Sequence, residues 1–153
     1  MTASTAVREF WERCRARDSA LPADVPEAWA FGATTEHADG LLQLVLDGTK
    51  TGTASSVWDY EFSGDPLPQV GEHSIILDGA GEPRAVIETT SVEIVPFTEV
   101  TDEHAHAEGE DDRTLASWRT IHERFWRLHS ESPKGYAPDM PVLCERFRLV
   151  YPA

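Results

Sequence analysis

The sequence predicts a single α+β domain, on three observations. Apolar residues recur at helical spacing in three stretches, and β-branched runs bounded by turn residues mark three others. The two kinds are interspersed without the regular strand–helix–strand alternation of a doubly wound sheet. With 153 residues, 41% of them hydrophobic, the chain has the length and composition of one globular unit with a real core.

Taken in order, Ser4 or Thr5 can cap a first helix in which Val7, Phe10, Trp11 and Cys14 share a face. Ser19 to Pro26 reads as a linker, so residues 1–28 are expected to be a helix and linker packed on a domain spanning 29–153. Thr34 or Thr35 caps a second helix with the stripe Ala38, Leu41, Leu42 and Val45, which Gly48 ends. Thr49 to Trp58 reads as extended or loop, and Asp65-Pro66-Leu67-Pro68 breaks regular structure. His73 to Leu77 and Arg84 to Val95 form a hairpin across the turn at Asp78–Gly81. Thr101 caps a short helix through His106. Thr114 opens a long one facing Leu115, Trp118, Ile121, Phe125 and Trp126 inward, and Val142 to Val150 is a closing strand.

The formal net charge of −14 opposes loose binding to nucleic acid, where phosphate contacts dominate affinity. It leaves room for a small, weakly charged ligand. No DNA partner is expected. No apolar run reaches membrane-spanning length, and the start lacks a secretory signal pattern, so no membrane partner is expected and a cytoplasmic location is. Cys14 and Cys144 are far apart and form no metal-type pair, which fits a reducing compartment.

Chemistry concentrates in three places. Gly48-Thr49-Lys50-Thr51-Gly52-Thr53-Ala54-Ser55-Ser56 gathers one lysine and five hydroxyls behind an amphipathic helix. A hydroxyl becomes a nucleophile when a base takes its proton, and a lysine drawn out of water can be such a base. The competing reading is a surface turn with a lysine favoured by the helix dipole. It is not a P-loop, since the order G-x-x-x-x-G-K-[ST] is absent. Trp58, Tyr60 and Phe62, spaced by two, read either as stacking aromatics or as the buried face of a strand. Glu108-Gly109-Glu110-Asp111-Asp112-Arg113 could supply an acid or base, or a metal site with His104 and His106; a solvated loop is the plainer reading, and no metal or cofactor is expected. His104 and His106, two apart, cannot share one helical face. On the long helix Arg119, His122, Arg124 and Arg127 read as a solvated face, with His122 at the core edge, and Arg146 with Arg148 forms a small basic strip.

The order of motifs resembles the ASCH domain family, in its longer bacterial form with an extra N-terminal helix. Trp29-Ala30-Phe31-Gly32 leads into the Lys50 stretch, then Tyr60-Glu61, Gly64-Asp65-Pro66-Leu67-Pro68 and Val86 to Val92. Glu108 to Arg113, a helix carrying Leu115, Trp118 and Arg119, and Met140 to Phe147 follow. The resemblance implies a PUA-like β-barrel with flanking helices and a cleft for RNA or a nucleoside. One branch of relatives removes the acetyl group from N4-acetylcytidine with a Lys-x-x-Thr pair and a loop glutamate. Carried over, these are Lys50 as base, Thr53 as nucleophile and Glu110, with Asp111 the alternative carboxylate. Thr51, Ser55, Trp58, Tyr60, Glu61, Arg119 and Arg146 would contact substrate. Other relatives are ribonucleases, for which Lys50 or Glu110 would be the base and Arg119 or Arg146 would meet phosphorane charge. A third reading is RNA binding without catalysis, which predicts a solvated Lys50.

Overall fold

The computed structural model describes residues 4–152. It is an α+β fold built on one five-stranded sheet. The elements run α1 (Thr5–Arg17), β1 (Ala28–Trp29), α2 (Thr35–Leu46), β2 (Gly52–Ser56), α3 (Val57–Ser63), β3 (His73–Leu77), β4 (Pro83–Pro96), a 3-10 turn (Phe97–Glu99), α4 (Asp102–Glu108), α5 (Leu115–His129) and β5 (Pro141–Tyr151). Strand order is β1-β3-β4-β5-β2, antiparallel except for β1 beside β3.

The closed barrel that the family resemblance implies is not seen. Among the described residues β1 pairs only with β3 and β2 only with β5, so the hydrogen-bond ladder ends at two edges. The sheet is held instead by the long β4–β5 ladder, which runs from Val86↔Tyr151 to Pro96↔Pro141.

Alternation along the strands decides which helix packs where. On one face α1 buries Val7, Phe10, Trp11 and Cys14 against Ile75 and Val86, and α4 and α5 bury Ala105, Trp118 and Trp126 against Val142 and Cys144. On the other, α2 buries Leu41, Leu42 and Val45 against Ile76, Ile87 and Phe147. Side-chain caps start the helices as expected: the Ser4 hydroxyl accepts from Val7 N, Thr34 from His37 N, Thr101 from His104 N and Thr114 from Ser117 N.

One region departs from expectation. Trp58, Tyr60 and Phe62 lie on a helix, not a strand. The Ser56 hydroxyl accepts from Asp59 N to open α3, and Gly64, at φ +81°, closes it. Aromatics two apart therefore point in different directions, and Phe62 is 61% exposed.

Candidate active site

Lys50 sits in the short connection from α2 to the edge strand β2. The Leu44 carbonyl accepts from both Thr49 N and Lys50 N and turns the chain inward. The end of α4 is stitched to this turn. Thr51 N donates to the Ala107 carbonyl at 2.7 Å, and the Arg113 guanidinium donates to the carbonyls of Thr49 and His106. Gly109 makes the approach possible: at φ +72°, an added Cβ would lie 2.7 Å from the Thr49 carbonyl oxygen.

The result is a lysine 1% exposed. Its ammonium donates to the Gly52 carbonyl at 2.8 Å, the Glu110 carboxylate at 3.1 Å and the Glu108 carbonyl at 3.4 Å. The Glu108 carboxylate is 3.8 Å away, and the Phe31 ring lies 5.2 Å beneath. All three ammonium protons have acceptors, so no lone pair is left to take another. Asp111, the alternative carboxylate, is exposed and makes no ion pair with Lys50.

Glu108, first of the acidic run and expected in a solvated loop, instead ends α4 at 1% exposure and is the hub of the site. One carboxylate oxygen accepts from Trp118 Nε1 at 2.6 Å and His104 Nε2 at 2.7 Å, and the other meets His122 Nε2 at 3.2 Å. Donor counting fixes the protons. His104 Nδ1 accepts from Arg146 Nε at 3.4 Å, so the His104 proton is on Nε2 and is donated to Glu108. His122 Nδ1 lies 2.8 Å from the Trp118 carbonyl, an acceptor, while its Nε2 faces a carboxylate, so His122 carries both protons and is an imidazolium. Burial alone would push the Glu108 carboxyl up; the His122 charge, the two histidine hydrogen bonds and Lys50 outweigh it and hold Glu108 well below the usual carboxylate range. Burial pulls His122 down, but the charge and hydrogen bond of Glu108, then Glu110 and the Trp118 carbonyl, leave it raised. Lys50 and His122 against Glu108 and Glu110 thus form a balanced quartet of charges.

Glu108, Glu110 and His122 could offer three ligand atoms to a metal within 4.8 Å of one another. They do not fit one well, because the Lys50 ammonium already lies against both carboxylates and His122 has no free lone pair.

The remaining expected residues divide between the two faces of the sheet edge. Thr53, half-buried on β2, pairs across strands with Glu145. Ser55 follows on the same face, beside the Tyr60 hydroxyl, whose pKa burial raises. Trp58 is half-buried with the Lys134 ammonium 5.3 Å over its ring, and Glu61 is exposed. Arg119 is exposed and donates to the Thr98 carbonyl, away from Lys50. Arg146 lies between two open clefts of about 670 and 450 Å³. Thr51 and Arg113 line the larger, opposite Asp102 and Glu103; Glu93 and Glu99 line the smaller. Neither cleft reaches Lys50 or Thr53, and neither is dominated by positive charge. His104 is buried and His106 exposed, as their spacing requires. Both cysteines are free and buried, and burial pushes the Cys144 thiol up to about 12, which leaves it inert.

The fold has known relatives. A crystal structure of protein EF3133 from Enterococcus faecalis V583, of the DUF984 family, is 36% identical, with a TM-score of 0.85 over 95% of this chain and 90% of that one. An ASCH domain from Lactobacillus crispatus JV V101 is 26% identical, with a TM-score of 0.87 over 99% of this chain and 98% of that one. No curated protein matches the chain. The family model of the ASCH domain matches residues 27–151, and the chain belongs to the ASCH domain family.

Proposed function

We propose that the protein hydrolyses the acyl group of an N-acylated nucleoside, with N4-acetylcytidine as the type substrate. The supporting observation is the Lys50–Glu110 ion pair, at 3.1 Å and almost wholly out of water, on the turn that leads into Thr53. In this reading Thr53 attacks the acyl carbonyl. Lys50 supplies fixed positive charge for the developing oxyanion, and Glu110 holds Lys50 in place. Glu110 is the rim member, its side chain 16% exposed, and marks the side from which a ligand would approach Lys50. Ser55 and Tyr60 lie on the Thr53 side of the strand, and in this reading they would meet the base; Trp58 packs into the core on the other side.

The mixed charge of both clefts counts against a ribonuclease, which needs concentrated positive charge for phosphate. The burial of Lys50 counts against a binding module that reads RNA through a solvated lysine. The test is turnover of N4-acetylcytidine followed by mass spectrometry, with wild type beside Lys50→Ala and Glu110→Gln. Conversion by wild type and loss of at least about 100-fold in Lys50→Ala is expected. An intact substrate across the pH range would end the reading.

A further inference from the structure

Thr53 needs a proton acceptor, and the geometry around Lys50 does not offer one. Its ammonium is fully engaged with the carbonyls of Gly52 and Glu108 and the carboxylate of Glu110. Across the strands from Thr53 the register places a different group. Glu145 on β5 is the direct partner of Thr53 on β2, and on such a pair the two side chains rise from the same face with Cβ atoms about 5 Å apart. A glutamate's length covers that gap.

Glu145 is only 9% exposed and has, among the described residues, one side-chain hydrogen bond, from the Thr89 hydroxyl at 3.3 Å. Thr89 pairs with Phe147, which rises from the same face of β5 as Glu145, so its hydroxyl reaches the carboxylate diagonally. Three neighbouring strands thus present Thr89, Glu145 and Thr53 in a row, with the Ser55–Tyr60 pair beside them. Among the described residues no lysine, arginine or histidine bonds to this carboxylate; the charged groups that act on it and on Tyr60 are Glu72, Glu27 and Asp65, all acidic. A buried carboxylate without a cation weakens a fold.

We propose that Glu145 is the general base and acid that serves Thr53, deepening the acyl-hydrolase reading on which it rests. Glu145 takes the Thr53 hydroxyl proton as the Thr53 oxygen bonds to the acyl carbon. The carbon–nitrogen bond then breaks, and the nitrogen takes that proton from Glu145 and leaves as the nucleoside amine. Water next gives a proton to Glu145 and bonds to the acyl carbon. The ester bond breaks, the Thr53 oxygen recovers the proton from Glu145, and the carboxylic acid departs. Burial, opposed by the Thr89 bond and aided by Glu72, raises the Glu145 pKa, which brings a carboxylate closer to the working pH of a base.

The experiment compares wild type, Glu145→Gln and Glu145→Asp on N4-acetylcytidine across pH, with folding checked by circular dichroism. In wild type the rate falls as pH drops through the raised Glu145 value. In Glu145→Gln kcat falls by about 100-fold or more with little change in KM, and that acid limb disappears; Glu145→Asp keeps the limb and part of the rate. A folded Glu145→Gln within a few-fold of wild type, with the same limb, overturns the proposal. p-Nitrophenyl acetate separates the two readings if wild type leaves N4-acetylcytidine intact. Acetylation mapped to Thr53, and slowed in Glu145→Gln, removes the nucleoside substrate and keeps the Thr53–Glu145 pair. No acetylation of Thr53, or equal rates in both proteins, removes the pair as well.

Discussion

Glu108 and Glu145 are both taken almost wholly out of water, at 1% and 9% exposure, and they are held in opposite states. Glu108 faces a tryptophan N–H, a neutral histidine, an imidazolium and an ammonium, and its carboxyl is driven well below the ordinary value. Glu145 faces one hydroxyl and further acids, and its carboxyl is pushed up. Burial has the same sign for both. Partners decide the outcome, so depth alone says nothing about whether a carboxylate holds a fold together or is carried as a cost. The first belongs to a balanced set that fixes the Lys50 turn. The second is the kind of strained group found where chemistry is done.

The largest effect should come from breaking the compensated member. Glu108→Ala leaves His122 and Lys50 buried beside Glu110 alone, and about 3–5 kcal/mol of stability should be lost in urea unfolding. A loss below about 1 kcal/mol, the range of surface pairs, would show that the network is not the anchor it is drawn as.

Next in size is the pH response of the same pair. His122 is raised from 6.5, so its contribution is whole below that value and disappears as pH climbs through the raised one. Glu108 is lowered from 4.5, so its contribution is whole above that value and disappears as pH falls through the lowered one. Between 4.5 and 6.5 both are fully present. Urea midpoints should therefore decline on the alkaline side, and His122→Gln should flatten that decline. An unchanged alkaline arm in the variant would assign it to another group.

The smallest effect sharpens the contrast. Glu145→Gln should change stability by no more than about 1 kcal/mol, and upward at neutral pH, because the folded state holds a proton there more tightly than the unfolded one. The gain should vanish at acid pH, where both states are protonated. A loss comparable to that of Glu108→Ala would erase the distinction between the two glutamates.

Much of the frame was legible in the sequence. Helical stripes such as Val7, Phe10, Trp11 and Cys14, the capping residues Thr34, Thr101 and Thr114, and the β-branched runs at 73–77 and 84–95 all fall where their periods place them. The α3 helix was not legible, because three aromatics spaced by two mimic a strand and a seven-residue helix rests on its Ser56 and Gly64 caps. The Lys50 stretch and the acidic run holding Glu110 stood out from the residues themselves, and the resemblance chose Glu110 and assigned the roles. Glu108 stayed hidden inside an acidic run, although a signal existed. His104 and Glu108 are four apart on a helix capped at Thr101, and His122 falls between Trp118 and Trp126 on one stripe, so both faces read as inward once the helices are drawn. The Thr53–Glu145 pairing depends on register between strands nearly a hundred residues apart in sequence, which no local pattern encodes.

The first helix carries a lesson about where a domain begins. The ASCH pattern starts at residue 27, yet Phe10, Trp11 and Cys14 cover Ile75 and Val86, and Trp11 Nε1 donates to the Pro22 carbonyl to tie the following linker down. The two solved relatives align over 95% and 99% of this chain, so their likeness runs into this helix as well. A chain trimmed to residue 27 would present two central strands' worth of isoleucine and valine to water, inviting self-association. The stretch that the family pattern spans is thus smaller than the unit that buries its own core, and the difference is one helix and the linker it ties down.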